Sequence, residues 1–227
     1  MNGILAQAFP PGREPRHFPR PWPGFAVADA RRWTVLGLAL LVACAAPTRR
    51  SPDAVALDAQ ARREAALADQ SEWRLSGRIA VSDGKDGGSG RIEWRQRGED
   101  FVIDLRAPVS RQAWRLSGSA AGARLDGLEG GPREDADAQA LLQREVGWSL
   151  PLHDLVAWAR GARGKGAAQV EFDPEGRPAR IEQHGWVVEY RAWGGGDPVL
   201  PRKVFAASGE RRVRLIVERW DVGATEP

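Results

Sequence analysis

The sequence predicts an α+β domain in which a large curved antiparallel sheet carries a few helices against one face. Two observations predict it. Apolar residues alternate with polar ones over most of the chain from Trp73 to Val217, the pattern of strands with one buried and one wet face. Short turn sequences separate these runs, so that successive strands are expected to pair as antiparallel neighbours.

The chain before this domain reads as an address. Residues 1 to 26 hold Pro10, Pro11, Pro15, Pro19, Pro21 and Pro23 without a hydrophobic period, so no packed element is expected there, and Val27 is a candidate for a later translation start. Arg31 and Arg32 then precede an apolar run from Thr34 to Ala43, a charged segment followed by an apolar one of signal-peptide length. A membrane span needs about 20 apolar residues, and this run is roughly half that. It ends in Leu41-Val42-Ala43-Cys44, which resembles the lipobox of bacterial lipoproteins. That resemblance implies removal of residues 1–43 and lipid attachment at Cys44. The alternative is a small buried thiol in a core helix, the common place of a free cysteine. Cys44 is the only cysteine, so no intrachain disulfide forms.

Charge supports the division. The chain has 227 residues, a formal net charge of +3 and a pI near 9.6. Residues 1–43 contain Arg13, Arg16, Arg20, Arg31 and Arg32 against Glu14 and Asp29, which accounts for the whole excess. The remainder is formally neutral, and its composition gives no reason to expect a nucleic-acid partner. All of the ten tryptophans except Trp22 and Trp33 lie in that remainder.

Residues 44–52 read as a tether, 53–222 as the domain and 223–227 as a tail. Asp53 is placed to cap a helix running to about Asp69, with Val55, Leu57, Ala61, Ala65 and Ala68 as a modest apolar stripe. A strand from Trp73 to Val81, a glycine-rich turn at Gly84–Gly90, a strand around Ile92 and Trp94, and one with Phe101, Ile103 and Leu105 form a meander. Pro108 ends the third; Trp114 and Leu116 belong to the next, and Ala123–Leu128 to a short fifth. Asp135 or Asp137 caps a helix closed by Gly147, and Pro151 opens another, with Leu152, Leu155, Val156 and Ala159 on one side, closed by Gly161. Strands return with Val170 and Phe172, Ala179 and Ile181, Trp186–Arg191, Val204–Ala206 and Val213–Val217.

Chemistry-bearing groups are sparse. His153 and His184 are not in metal-ligand spacing, the His153-Asp154 pair reads as surface, and Gly161–Lys165 lacks the spacing and hydroxyl of a phosphate loop. No catalytic residue, metal or cofactor is expected. The apolar strand face either fills itself with side chains or leaves room for an apolar ligand, and the alternation alone favours a filled core.

A string of local sequences, however, resembles the LolB family of outer-membrane lipoprotein receptors. It comprises Trp73-x-Leu75-x-Gly77-Arg78-Ile79-Ala80-Val81, Trp94-x-Gln96, Leu105–Pro108, Gly147-x-x-Leu150-Pro151-x-x-x-Leu155-x-x-Trp158-x-x-Gly161, Gly176-Arg177, Gln183-x-Gly185-Trp186-x-Val188-x-Tyr190, Leu200-Pro201 and Arg214-Leu215-x-Val217-x-x-Trp220. The resemblance implies an unclosed antiparallel β-barrel covered by helices around a cavity for acyl chains. It implies a monomeric, non-enzymatic protein anchored on the periplasmic side of the outer membrane. Its implied partners are the periplasmic carrier LolA, acylated lipoproteins and membrane phospholipid. Ala45 after Cys44 is not the aspartate of an inner-membrane retention signal. The family's membrane-entering loop, with an exposed leucine after Asn-Pro, corresponds to Pro108 and Val109; the departures are valine for leucine and Ser110 for glycine. The alternative is that Val109 simply starts the next strand. By the face each occupies on its strand or helix, the cavity residues expected are Ile79, Trp94, Ile103, Leu105, Leu116, Trp158, Trp186, Val188 and Leu215. A structural lipoprotein without lipid transfer, its interior fully packed, is the competing reading. A periplasmic hydrolase would need a nucleophile and base that the sequence does not supply.

Overall fold

In a computed structural model, the residues described are 52–84, 86–107 and 113–223. Cys44, Pro108 and Val109 lie outside them. Among the described residues, the buried apolar side chains of the core run from Leu67 to Val217 within the compact unit Ala45–Pro227, a core of the kind an independent domain carries.

Helix α1 (Ala54–Asp69) starts where the sequence places it, the Asp53 carboxylate accepting from the Ala56 N–H at 2.7 Å. Its apolar stripe is weak, and only Gln60 and Leu67 are buried. Polar bonds seat it instead. Gln60 donates to Gly161 O at 3.1 Å, Arg63 to Val199 O at 2.7 Å and Arg160 O at 3.0 Å, and Glu64 pairs with Arg163 at 2.7 Å. The Gly161–Lys165 segment thus serves as part of the helix's seat.

Strands β1 (Glu72–Asp83), β2 (Asp86–Arg97), β3 (Asp100–Arg106), β4 (Ala113–Ser119), β5 (Gly122–Asp126) and β6 (Arg133–Asp135) follow as a meander. Helices α2 (Ala138–Val146) and α3 (Leu152–Ala159) come next, then β7 (Gln169–Phe172), β8 (Pro178–Gln183), β9 (Trp186–Trp193), β10 (Pro201–Ser208) and β11 (Arg211–Val222). Among the described residues these make one antiparallel sheet of eleven strands, ordered β6-β5-β4-β3-β2-β1-β11-β10-β9-β8-β7. The sheet is unclosed, with β6 and β7 at its two edges.

Inward positions line up across the ladders. Trp220, Leu75, Trp94, Ile103, Leu116 and Leu125 are successive register partners, and all but the half-buried Trp220 are buried. Val170, Ile181, Val188, Ala206, Val213 and Val81 form an equivalent row in the other half, all buried. Alternation therefore reports one continuous apolar face.

Three expectations need correction. Gly87–Gly90 are not a turn but belong to β2, which needs small residues there: a Cβ on Gly90 would lie 2.6 Å from Arg106 O, and one on Gly88 would lie 3.0 Å from the Trp148 ring. The short β6 carries no alternation in sequence and is held by pairing with β5. Finally, the long connection from β6 to β7 does not join neighbours. It runs from one sheet edge to the other, and α2 and α3 lie within it.

Gly77 shows how tightly the central strands meet. At a bulge in the β1–β11 ladder, a Cβ on Gly77 would stand 2.1 Å from Ile216 O, a backbone atom that cannot swing away. We expect Gly77→Ala to destabilise the domain by about 1–3 kcal/mol, as overpacking does. A lowered urea midpoint checks this; an unchanged one would show that the two strands can separate at the bulge.

Candidate functional site

The inner face of β2–β4 does not fill itself. Between it and the starts of α2 and α3 lies a cavity of about 450 Å³, walled by Trp94, Phe101, Ile103, Leu152 and Val156 with Gln96 as the buried polar group. That volume falls in the range of small-ligand pockets. The exposed turn residues Gly98, Glu99, Ser119 and Ala120, with His153, form its rim.

Each wall has a local cause. Gly118 faces inward opposite Phe101, and the Phe101 ring lies so close over it that a Cβ there would be 2.3 Å from the ring. The glycine lets the aromatic ring lie down on the sheet. Gln96 is 7% exposed, accepts from the Trp94 indole N–H at 3.0 Å and donates to Gly98 O at 2.9 Å, so the Trp94-x-Gln96 spacing is a satisfied polar pair that orients the tryptophan. Trp94 also packs on Trp73, centroids 5.3 Å apart, and Trp73 on Trp220 at 5.6 Å.

The opposite wall depends on how α2 and α3 are fixed. Asp137 caps α2 through Gln139 N at 2.7 Å and Ala140 N at 3.4 Å, and Gly147 ends it at φ 79°, a conformation that favours glycine. Below α3, Trp158 is fully buried and donates its indole N–H to Gln183 Oε1 at 3.1 Å. Gln183 also accepts from Gly164 N at 2.7 Å and donates to Gly164 O at 3.0 Å. Tyr190 O–H donates to Trp158 O at 3.0 Å. Asp154 reaches Nδ1 of His184 at 2.8 Å, so its partner is the β8–β9 turn and not the adjacent His153. Leu152 and Val156, four residues apart, are thereby presented together to the cavity.

One buried and one half-buried cation hold the far end. Arg160, 7% exposed, donates to Leu67 O at 2.6 Å and stacks over Trp73 at 5.7 Å; burial, with repulsion from Arg63 added, pushes its guanidinium down to about 10. Arg63 lies over the Trp193 ring at 5.0 Å and is also lowered by burial.

Of the nine positions expected by face, Trp94 and Ile103 stand in the cavity wall. Leu105, Leu116, Trp158, Trp186, Val188 and Leu215 are buried in the packed cluster, and Ile79 is half-buried against it. Phe101, Gln96, Leu152 and Val156 line the wall without having been singled out. The alternation of Phe101 with Ile103 and the helical spacing of Leu152 and Val156 were the signals available for three of them. Among the described residues, no group of His, Cys, Asp and Glu side chains could hold a metal ion.

The family profile described as "Outer membrane lipoprotein LolB" matches residues 71–220. The chain is 44% identical over 175 residues to an outer-membrane lipoprotein LolB of Xanthomonas axonopodis pv. citri, covering 74% of this chain and 80% of that protein. It belongs to the LolB family. A second relative, the outer-membrane lipoprotein LolB of Xylella fastidiosa, is 44% identical over 173 residues, covering 74% of this chain and 80% of its own. Membership places the chain at the outer membrane as a lipoprotein. Among solved structures, a LolA superfamily protein from Nitrosomonas europaea aligns with a TM-score of 0.48 at 10% identity, over 74% of this chain and 95% of that one. A putative outer-membrane lipoprotein-sorting protein domain from Vibrio parahaemolyticus aligns at 0.43 and 6% identity, over 76% of this chain and 95% of that one.

The anchoring of α3 has a spectroscopic consequence. Tyr190 is the only tyrosine, and burial raises its phenol well above the usual value near 10. A phenol whose native pKa is raised contributes stability below the unfolded pKa that is lost as pH rises beyond it. Absorbance at 295 nm should therefore show no tyrosinate until the far-ultraviolet circular dichroism collapses. Ionisation near pH 10 in a folded protein would mean that water reaches the Tyr190–Trp158 contact.

Proposed function

We propose that this chain is the acceptor of acylated lipoproteins from a LolA-type periplasmic carrier, holds their acyl chains in the cavity under α2 and α3, and releases them into the inner leaflet of the outer membrane. The observation that carries this reading is the apolar cavity in the mouth of an unclosed sheet, in a chain of the LolB family. Cys44 carries the lipid anchor, residues 44–52 tether the domain, and Pro108–Val109 enter the membrane. The working form is a monomer.

The physics of transfer supports the reading. Each buried acyl methylene contributes about 0.8 kcal/mol, so an acylated protein crosses water only inside an apolar container. Moving it between containers breaks no covalent bond. The direction of movement is set by which container holds the chains better, and the cavity must grip loosely enough for the bilayer to win.

A domain of residues 45–227 mixed with a carrier preloaded with an acylated lipoprotein should take up the cargo without ATP, as read by pull-down. In Val156→Trp, which puts bulk into the cavity wall, uptake should fall about tenfold while the urea midpoint moves by less than that of Gly77→Ala. Normal uptake by Val156→Trp would remove the cavity from the mechanism. Cargo remaining on the carrier with the unaltered domain would leave the structural-lipoprotein reading in its place.

Val109→Glu in the anchored protein addresses release. Cargo uptake should be preserved and delivery to membranes blocked, as measured by flotation of cargo with vesicles. Unchanged delivery would reject a role for this segment.

A further inference from the structure

The outward face of the sheet sets like charges directly opposite one another. Arg78 of β1 is the ladder partner of Arg91 of β2, and Arg91 of Arg106 of β3. On its other side Arg78 faces Ile216 of β11, whose next partner is Lys203 of β10. The row Lys203, Ile216, Arg78, Arg91, Arg106 crosses five consecutive strands, roughly 19 Å at the usual strand spacing, and its four cations are exposed. Arg214, also exposed, stands in the next outward row towards the β1–β2 hairpin, between Phe205 and Ala80.

Neighbouring rows also set like charges opposite one another, Arg74 facing Arg95 and Glu93 facing Asp104, but they mix the two signs. Asp104 pairs with Arg95 at 3.3 Å and Arg115 at 2.6 Å, and Arg124 with Glu134 at 2.7 Å, so charges there neutralise one another across the strands. Among the described residues, the ion pairs of the cationic row fall on one carboxylate: Glu218 lies 3.1 Å from Arg78 and 3.6 Å from Arg91. Cross-strand like charges are unfavourable, and the formal neutrality of residues 44–227 gives no compositional reason for them. The excess of positive charge in this row is one that an anionic surface outside the domain would offset.

We propose that this row docks the domain on the anionic headgroups of membrane phospholipids. The observations favour a lipid surface over an acidic protein. The cations are spaced along one outer face with the apolar Ile216 and Phe205 between and beside them, an arrangement suited to a plane of phosphates bordering hydrocarbon. The row also ends at Arg106, two residues in sequence before Pro108. In taking Pro108–Val109 as the segment that enters the bilayer, the proposal rests on the function proposed above. Its effect is to orient the domain on the leaflet that receives the cargo, through a field that acts within about a Debye length of the surface.

The test is sedimentation of residues 45–227 with phosphatidylcholine vesicles, with and without phosphatidylglycerol, at low and high salt. Binding should require phosphatidylglycerol and weaken in salt. Each cation near an anionic surface is worth a factor of about five, so the triple variant Arg78→Gln, Arg91→Gln, Arg106→Gln should bind at least about tenfold more weakly. Glu218→Gln should bind several-fold more tightly, a gain that unfolding does not produce. Equal binding to both vesicle types, or a triple variant that binds like the parent, overturns the proposal. So does a triple variant that keeps its vesicle binding but loses capture of the carrier, which would assign the row to a protein partner. Cargo uptake from the carrier, measured separately, keeps the acceptor reading and this one distinguishable, since either can fail alone.

Discussion

Consecutive strands β6 and β7 occupy opposite edges of one sheet, and the chain between them has to cross the apolar face. That crossing supplies α2 and α3, and with them the cover for the cavity. A closed barrel would pair β6 with β7 and bring side chains from both halves together at the centre. Here the two meanders join through β1 and β11 instead, so the edges stay apart and the space between sheet and helices remains.

The cavity persists because its walls are held from behind. Gln96 fixes Trp94, and Gln183 with Tyr190 fixes Trp158, so both of these indole N–H groups have an acceptor and neither ring needs to turn into the empty volume. Removing either glutamine would leave a buried donor unpaired, at about 1–3 kcal/mol. The same logic explains α1, whose apolar stripe is too weak to dock by itself and which is tied down by Gln60, Arg63 and Glu64. The buried Arg160 and half-buried Arg63 guanidinium groups lie in that seat against tryptophan rings and backbone carbonyls, while the rim near Gly98 and Ser119 is exposed.

The two faces of the sheet serve different physical ends. Inside, the rows through Leu75 and Val188 bury apolar area and define the container. Outside, most charges cancel across the strands, and the row through Arg91 does not. A protein that passes acyl chains to a membrane needs both, an interior that competes with lipid and an exterior that stands beside it.

The sequence by itself determined most of the elements and the inward face of their strands; β6 and the glycine-rich start of β2 were not among them. Alternation is a local property, and Asp53, Asp137, Gly147 and Gly161 punctuate the helices through contacts within a few residues. It also carried the family resemblance, in motifs of which Trp94-x-Gln96 holds both a ring and the group that orients it, whereas Gln183 serves the distant Trp158. Only the tertiary structure decided which inward residues line a void and which fill the core. Ile103 and Leu105 lie on one strand face and look alike in sequence, yet one borders the cavity and the other is packed, because the difference lies in where α2 and α3 cross. The cationic row was likewise invisible along the chain: Arg78, Arg91, Arg106 and Lys203 are far apart in sequence, and register alone makes them neighbours.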